Sequence, residues 1–186
     1  MRRAEVERET KETKIKVILN LDGVGELKGE IPIPYWKHLL ETLLFYSFFD
    51  LEIFAKGDIE VDEHHLIEDL GLTLGMALKN ALTNSNFKRF SHQIIPMDDA
   101  LVLVAVDISG RPYLGWKDNI NKDGNDLIKE FLRAFVNESK ITLHVNIISG
   151  ENLHHIQEAI FKALGLSLRE AVSVEERISS TKGKIL

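Results

Sequence analysis

The pattern of apolar and polar positions divides the chain into recognisable elements. Ile15 to Leu21 (IKVILNL) alternates, as a half-buried strand does, whereas Leu101 to Val106 (LVLVAV) is continuously apolar, as in a buried strand. Each run closes on a turn signal, Asp22-Gly23 in one case and Ser109-Gly110 in the other. Helix-like stretches follow at roughly 35–48 and 125–137, and second strands near 51–56 and 141–148. Two further apolar stripes, at 67, 70, 74, 77, 78, 81 and at 156, 160, 163, 164, 168, 171, keep the 3.6-residue period of a helix burying one face.

These last two helices begin alike, with His64-His65-x-x-Glu68 and His154-His155-x-x-Glu158, 90 residues apart (64 to 154). At that offset Leu74-Gly75 falls on Leu164-Gly165 and Leu78 on Leu168. Each half reads strand–strand–helix–strand(s)–helix. The order predicts an α+β fold of two tandem similar half-domains, 1–90 and 91–186, related by a pseudo-twofold. Each would be a small β-sheet with helices packed on one face, the two together forming one compact domain. Two similar helices in a single unrepeated domain is the alternative. The stretch 117–126 (KDNINKDGND) reads as a surface loop, and 179–183 as a polar tail.

Composition narrows the class. At 186 residues, 44% hydrophobic and 28% charged, the chain has the balance of a globular protein. A formal net charge of −6 and the lack of a long Lys/Arg run argue against a nucleic-acid partner. The start, Met1 to Arg8, has no apolar signal-peptide core. The most apolar stretch, 38–54, is broken by Glu41, Asp50 and Glu52 and is too short for a bilayer. A cytoplasmic enzyme with no membrane partner is the default expectation.

The chain has no cysteine, so a metal would be held by imidazole and carboxylate. Residues three and four apart share a helix face, which puts His64 and Glu68, or His65 and Glu68, side by side. Adjacent histidines point about 100° apart, so one helix start offers ligands to two ions. With His38 and His144 the inventory is six of the seven histidines, leaving only His92, and two glutamates. That is enough for two sites of four protein ligands with positions open for substrate, a set that suits Mn, Fe, Co or Zn. Diverging histidines also point to sites shared between subunits of a closed assembly.

With these residues in place, the chain resembles the imidazoleglycerol-phosphate dehydratase family along nearly its whole length. The resemblance is carried by Arg8-Glu9-Thr10-Lys11-Glu12-Thr13, Leu21-Asp22-Gly23-x-Gly25, Asp62-Glu63-His64-His65-x-x-Glu68-Asp69, Arg89-Phe90 and Pro96-Met97-Asp98-Asp99-Ala100-Leu101. It continues in Asp107-Ile108-Ser109-Gly110-Arg111-Pro112, Thr142-Leu143-His144, the segment from Gly150 to Ala163, and Ser180-Thr181-Lys182-Gly183. It implies a hydro-lyase of histidine biosynthesis that takes imidazole glycerol phosphate to imidazole acetol phosphate. It also implies two Mn2+ per active site that bind the substrate's imidazole and stabilise the charge developing as a non-acidic proton is lost.

Carried over by motif, the metal ligands are His38, His64, His65, Glu68, His144, His154, His155 and Glu158, and Glu12 is the acid/base. Arg89, Arg111, Lys162, Ser180 and Lys182 fall on the family's phosphate-binding positions, where arginine gives bidentate hydrogen bonds and lysine a point charge. The resemblance further implies a homo-oligomer of 24 subunits built from trimers, with sites at subunit interfaces. Four departures from the family pattern stand out. Thr42 replaces a glutamine, Tyr46 replaces a histidine, Asp99 stands where glutamate is usual, and the 113–130 stretch is about five residues short. Two other classes remain open from the residues alone: a di-metal hydrolase of a phosphorylated substrate, and a non-catalytic metal-binding assembly protein.

Overall fold

The computed structural model describes residues 2–83, 85–120 and 123–176. The first half contains β1 (Arg3–Glu9), β2 (Thr13–Asn20), β3 (Leu27–Glu30), α1 (Pro34–Ser47), β4 (Asp50–Gly57) and α2 (His64–Leu82). The second half repeats the order with β5 (Phe90–Met97), β6 (Ala100–Asp107), β7 (Tyr113–Asp118), α3 (Asp126–Ser139), β8 (Thr142–Ser149) and α4 (Leu153–Ala171). The strand orders are β1-β2-β4-β3 and β5-β6-β8-β7. In each sheet the first three strands are antiparallel and the edge strand, β3 or β7, joins in parallel. The expected α+β duplication is therefore present down to strand order.

The difference from expectation lies in β3 and β7. β3 is only four residues long and β7 buries none of its residues fully, so neither imposes an alternating pattern on the sequence. β3, with sequence LKGE, is exposed over most of its length. β7 takes Lys117 and Asp118, and α3 takes Asp126, out of the stretch expected to be loop.

Inward-facing residues of both sheets, such as Ile15, Val17, Val102 and Val104, belong to one continuous core together with all four helices. The halves interlock across this core, because α2 packs on α3 and α1 on α4. The repeated Leu-Gly pair explains how they do so. A Cβ at Gly75 would lie 2.4 Å from the Phe135 carbonyl oxygen, and one at Gly165 would lie 2.6 Å from that of Leu43. Glycine lets each helix backbone press against its cross-half partner, and the α1–α4 contact sets α1 beside the histidine-bearing start of α4.

Candidate metal centre and active site

The two His-His-x-x-Glu segments form the first turns of α2 and α4. Both turns are held the same way: Asp62 Oδ1 accepts from the His64 N–H at 2.9 Å, and Asn152 Oδ1 accepts from the His154 N–H at 2.9 Å. Such side-chain acceptors satisfy donors that a helix start leaves unpaired. The 90-residue repeat therefore extends to the residue two before each first motif histidine.

On α4, His154 Nε2 lies 2.9 Å from Glu158 Oε1. His38 of α1 brings its own Nε2 to 2.8 Å from the same oxygen, and the two imidazoles stack with centroids 5.7 Å apart. Glu158 is buried, and its second oxygen meets Lys162 Nζ at 2.9 Å. Burial pushes the Glu158 pKa up, but Lys162 and His38 outweigh it and hold the carboxyl below its ordinary value. Tyr35 closes one side, with its ring 5.8 Å from that of His154 and its hydroxyl donating to Gln157.

A second group gathers at α2. His65 Nδ1 lies 3.5 Å from Asp58 Oδ2 and 3.6 Å from Glu12 Oε2, and these carboxylates, Asp58 first, raise the His65 pKa. His65 Nδ1 and Asp58 Oδ1 are buried without a hydrogen-bond partner. His64 Nε2 and Glu68 Oε2 stand 3.9 Å apart on the neighbouring face. Glu12 sits at the end of the β1–β2 turn. There Thr10 Oγ1 accepts from the N–H groups of Glu12 and Thr13. Buried Asp69 fastens this turn to α2 by accepting from Arg8 Nε at 2.8 Å and from the Thr13 hydroxyl.

The second motif histidine of α4, His155, faces the β5–β6 turn, with Nδ1 2.5 Å from Asp99 Oδ1. Asp99 also accepts from the backbone N–H groups of Glu151 and Asn152, and His155 first, then these two, hold its pKa far below the usual carboxylate range.

Three of the remaining expected residues, His144, Arg89 and Arg111, lie on or near the outer face of the second sheet. His144 projects there from β8, opposite Gly115 of β7, where a Cβ would lie 2.3 Å from His144 Nδ1. An open recess of about 610 Å³ on this face is lined by His144, His92, Phe90 and Asp107 among others. Arg89, at a positive φ of 82° fixed by backbone bonds to Ala171 and Ile108, grips Asp107 with two guanidinium nitrogens at 2.7 and 3.3 Å. Arg111 Nη2 lies 3.9 Å from the same carboxylate and is largely exposed. Lys162 is turned to Glu158, and Ser180 and Lys182 lie outside the described residues.

Among the described residues, then, one chain brings His38, His154 and Glu158 together, and separately Glu12, Asp58 and His65. It does not bring His144, His64, Glu68 or His155 into either group. Sequence reasoning did not single out Asp58 or Asp69. Their one signal is a carboxylate just after a strand or just after a motif glutamate, which is common on any surface. Tyr46 packs against α4 near Gly165, eight residues or ~12 Å along α1 from His38, and so lies away from the ligand end.

The donor set fits a cation. Two imidazole nitrogens converge on one carboxylate oxygen, and buried His65 Nδ1 and Asp58 Oδ1 have no hydrogen-bond partner among the described residues. The sequence model of the imidazoleglycerol-phosphate dehydratase family matches residues 31–168. The chain belongs to that family. The imidazoleglycerol-phosphate dehydratase of Dictyoglomus thermophilum is 64% identical over all of both chains, and that of Dictyoglomus turgidum is 60% identical, again over all of both. The crystal structure of the Pyrococcus furiosus enzyme covers 96% of this chain and 99% of its own, with a TM-score of 0.84 at 43% identity.

Proposed function

We propose that the chain is a metal-dependent hydro-lyase of histidine biosynthesis that dehydrates imidazole glycerol phosphate to imidazole acetol phosphate. The observation that carries the metal dependence is the convergence of His38 and His154 on Glu158, in a member of this family. Two Mn2+ per site suit the inventory of His38, His64, His65, Glu68, His144, His154, His155 and Glu158. Bound there, the ions supply Lewis-acid stabilisation of charge on the substrate's imidazole.

The protein's own groups account for the rest. The reaction removes one proton from carbon and a hydroxyl from the neighbouring carbon, and the two leave as water. Glu12 is exposed enough to reach a substrate, stands 3.6 Å from a ligand histidine and is pinned by its turn, the requirements for a group that moves those protons. Arg89 and Arg111 offer guanidinium groups to the phosphate, joined by Lys162, Ser180 and Lys182. Arg89 is pre-oriented by Asp107 for this purpose.

Assembly supplies the missing proximity. Phe90 and Ile94 on β5 and Tyr113 on β7, the two edge strands of the sheet that carries His144, are exposed. Burying this surface against other copies, in 24 subunits built from trimers, would bring His144 and the phosphate cations to a neighbour's helix starts. A cytoplasmic location suits such an enzyme, and no described helix is long and apolar enough to cross a membrane. The test is product formation from imidazole glycerol phosphate with metal-stripped and Mn-restored protein. Ketone product that requires Mn is expected, whereas Mn-loaded protein that binds the substrate without converting it would contradict the proposal.

A further inference from the structure

The internal repeat pairs two carboxylates. Glu12 is the residue immediately before β2, and Asp99 is the residue immediately before β6. Each faces Nδ1 of the second histidine of its half's motif, Glu12 at 3.6 Å from His65 and Asp99 at 2.5 Å from His155. The two have diverged in how they are held. Glu12 has one carboxylate–imidazole approach and is half exposed. Asp99 is tied down on its other oxygen by the N–H groups of Glu151 and Asn152, and Asn152 in turn accepts from the His154 N–H. Asp99 therefore clamps the segment that starts α4 and touches one imidazole of the pair directly.

We propose that Asp99 is a positioning residue for the α4 histidines, holding His155 by Nδ1–H so that Nε2 is the lone pair offered to the metal. The inference rests on the metal-dependent reading above. The physical reason is general: a metal-ligating imidazole donates its other N–H to a carboxylate or carbonyl, which fixes tautomer and ring orientation. Nε2 of His155 lies 3.6 Å from the Asp98 carboxylate and 3.5 Å from the Asn152 amide nitrogen. Asp99 moves no proton in this role, which leaves that task to Glu12, its counterpart in the first half.

D99N separates positioning from mere loop anchoring. The asparagine carbonyl still accepts from the Glu151 and Asn152 N–H groups. Its NH2 then faces His155 Nδ1, turns that nitrogen into an acceptor and places the hydrogen on Nε2, where it blocks the metal. Mn2+ titration followed by electron paramagnetic resonance of the full-length protein, with assembly state measured in parallel, should give a 10- to 100-fold weaker Kd for D99N. D99E, which restores a carboxylate, should bind within a few-fold of wild type. If D99N does not fold, D99Q against D99E applies the same contrast one methylene longer. Equal Mn2+ affinity of amide and carboxylate variants overturns the inference while leaving the metal-dependent reading intact. Absence of Mn2+ binding by the wild type overturns both.

Discussion

At the residue scale, the site works by setting carboxylates against imidazoles at different degrees of exposure. Glu158 is buried, shared by two histidines and a lysine, and suited to stay charged as a ligand. Glu12 is exposed on a turn and suited to exchange protons. E12Q should therefore keep its Mn2+ stoichiometry while kcat falls roughly 10²- to 10⁴-fold, the usual scale for a general acid or base. Unchanged turnover would remove Glu12 from the chemistry.

Lys162 is a second residue-scale case. In the wild type the Glu158 pKa lies below its unfolded value, so its contribution to stability is present above the ordinary carboxylate range and is lost as pH falls through the lowered folded value. K162M leaves burial opposed by less positive charge, so the folded pKa rises. Acid destabilisation of the metal-free protein should then begin at higher pH in K162M than in wild type, as read from Tm against pH.

At the scale of elements, helix starts and cross-half helix packing decide which ligands meet. The sequence makes the ligand types plain, because imidazole and carboxylate recur at matched positions of two amphipathic helices. It does not make the partnerships plain. His38 and Glu158 are 120 residues apart, and only the close α1–α4 packing at Gly165 joins them. Asp58 stayed invisible because nothing in the spacing distinguishes a carboxylate aimed at a histidine from one aimed at water, and Asp69 entered only as the end of a motif, with no sign of its bonds to Arg8 and Thr13. β3 and β7 stayed invisible because one is four residues long and the other buries no residue fully, whereas β2, β6 and the four helices were readable from their apolar faces. Gly165→Ala places a methyl group against the Leu43 carbonyl and should destabilise by about 1–3 kcal/mol in denaturant unfolding, with weaker Mn2+ binding as α1 is pushed away. A neutral substitution there would show that the helices have slack.

At the scale of the whole molecule, the duplicated fold carries more of the proposed ligands than one chain brings together among its described residues. His144 and the two arginines sit on or near the outer face of the second sheet, while the motif histidines sit at helix starts. The proposed sharing of sites between subunits would resolve the mismatch, and it has a direct consequence. Co-assembled H144A and H38A subunits, each inactive alone, should regain measurable dehydratase activity wherever each defect falls in a different site. No recovery on mixing would place all ligands of a site within one chain.

The most direct measurement is anomalous scattering at the manganese edge from crystals of the Mn-loaded, assembled protein. Two peaks per active site are expected, one adjoining His38, His154 or Glu158, with His144 of a neighbouring copy among the ligands. Peaks distant from both His-His-x-x-Glu helix starts, or no ordered manganese, would contradict the account.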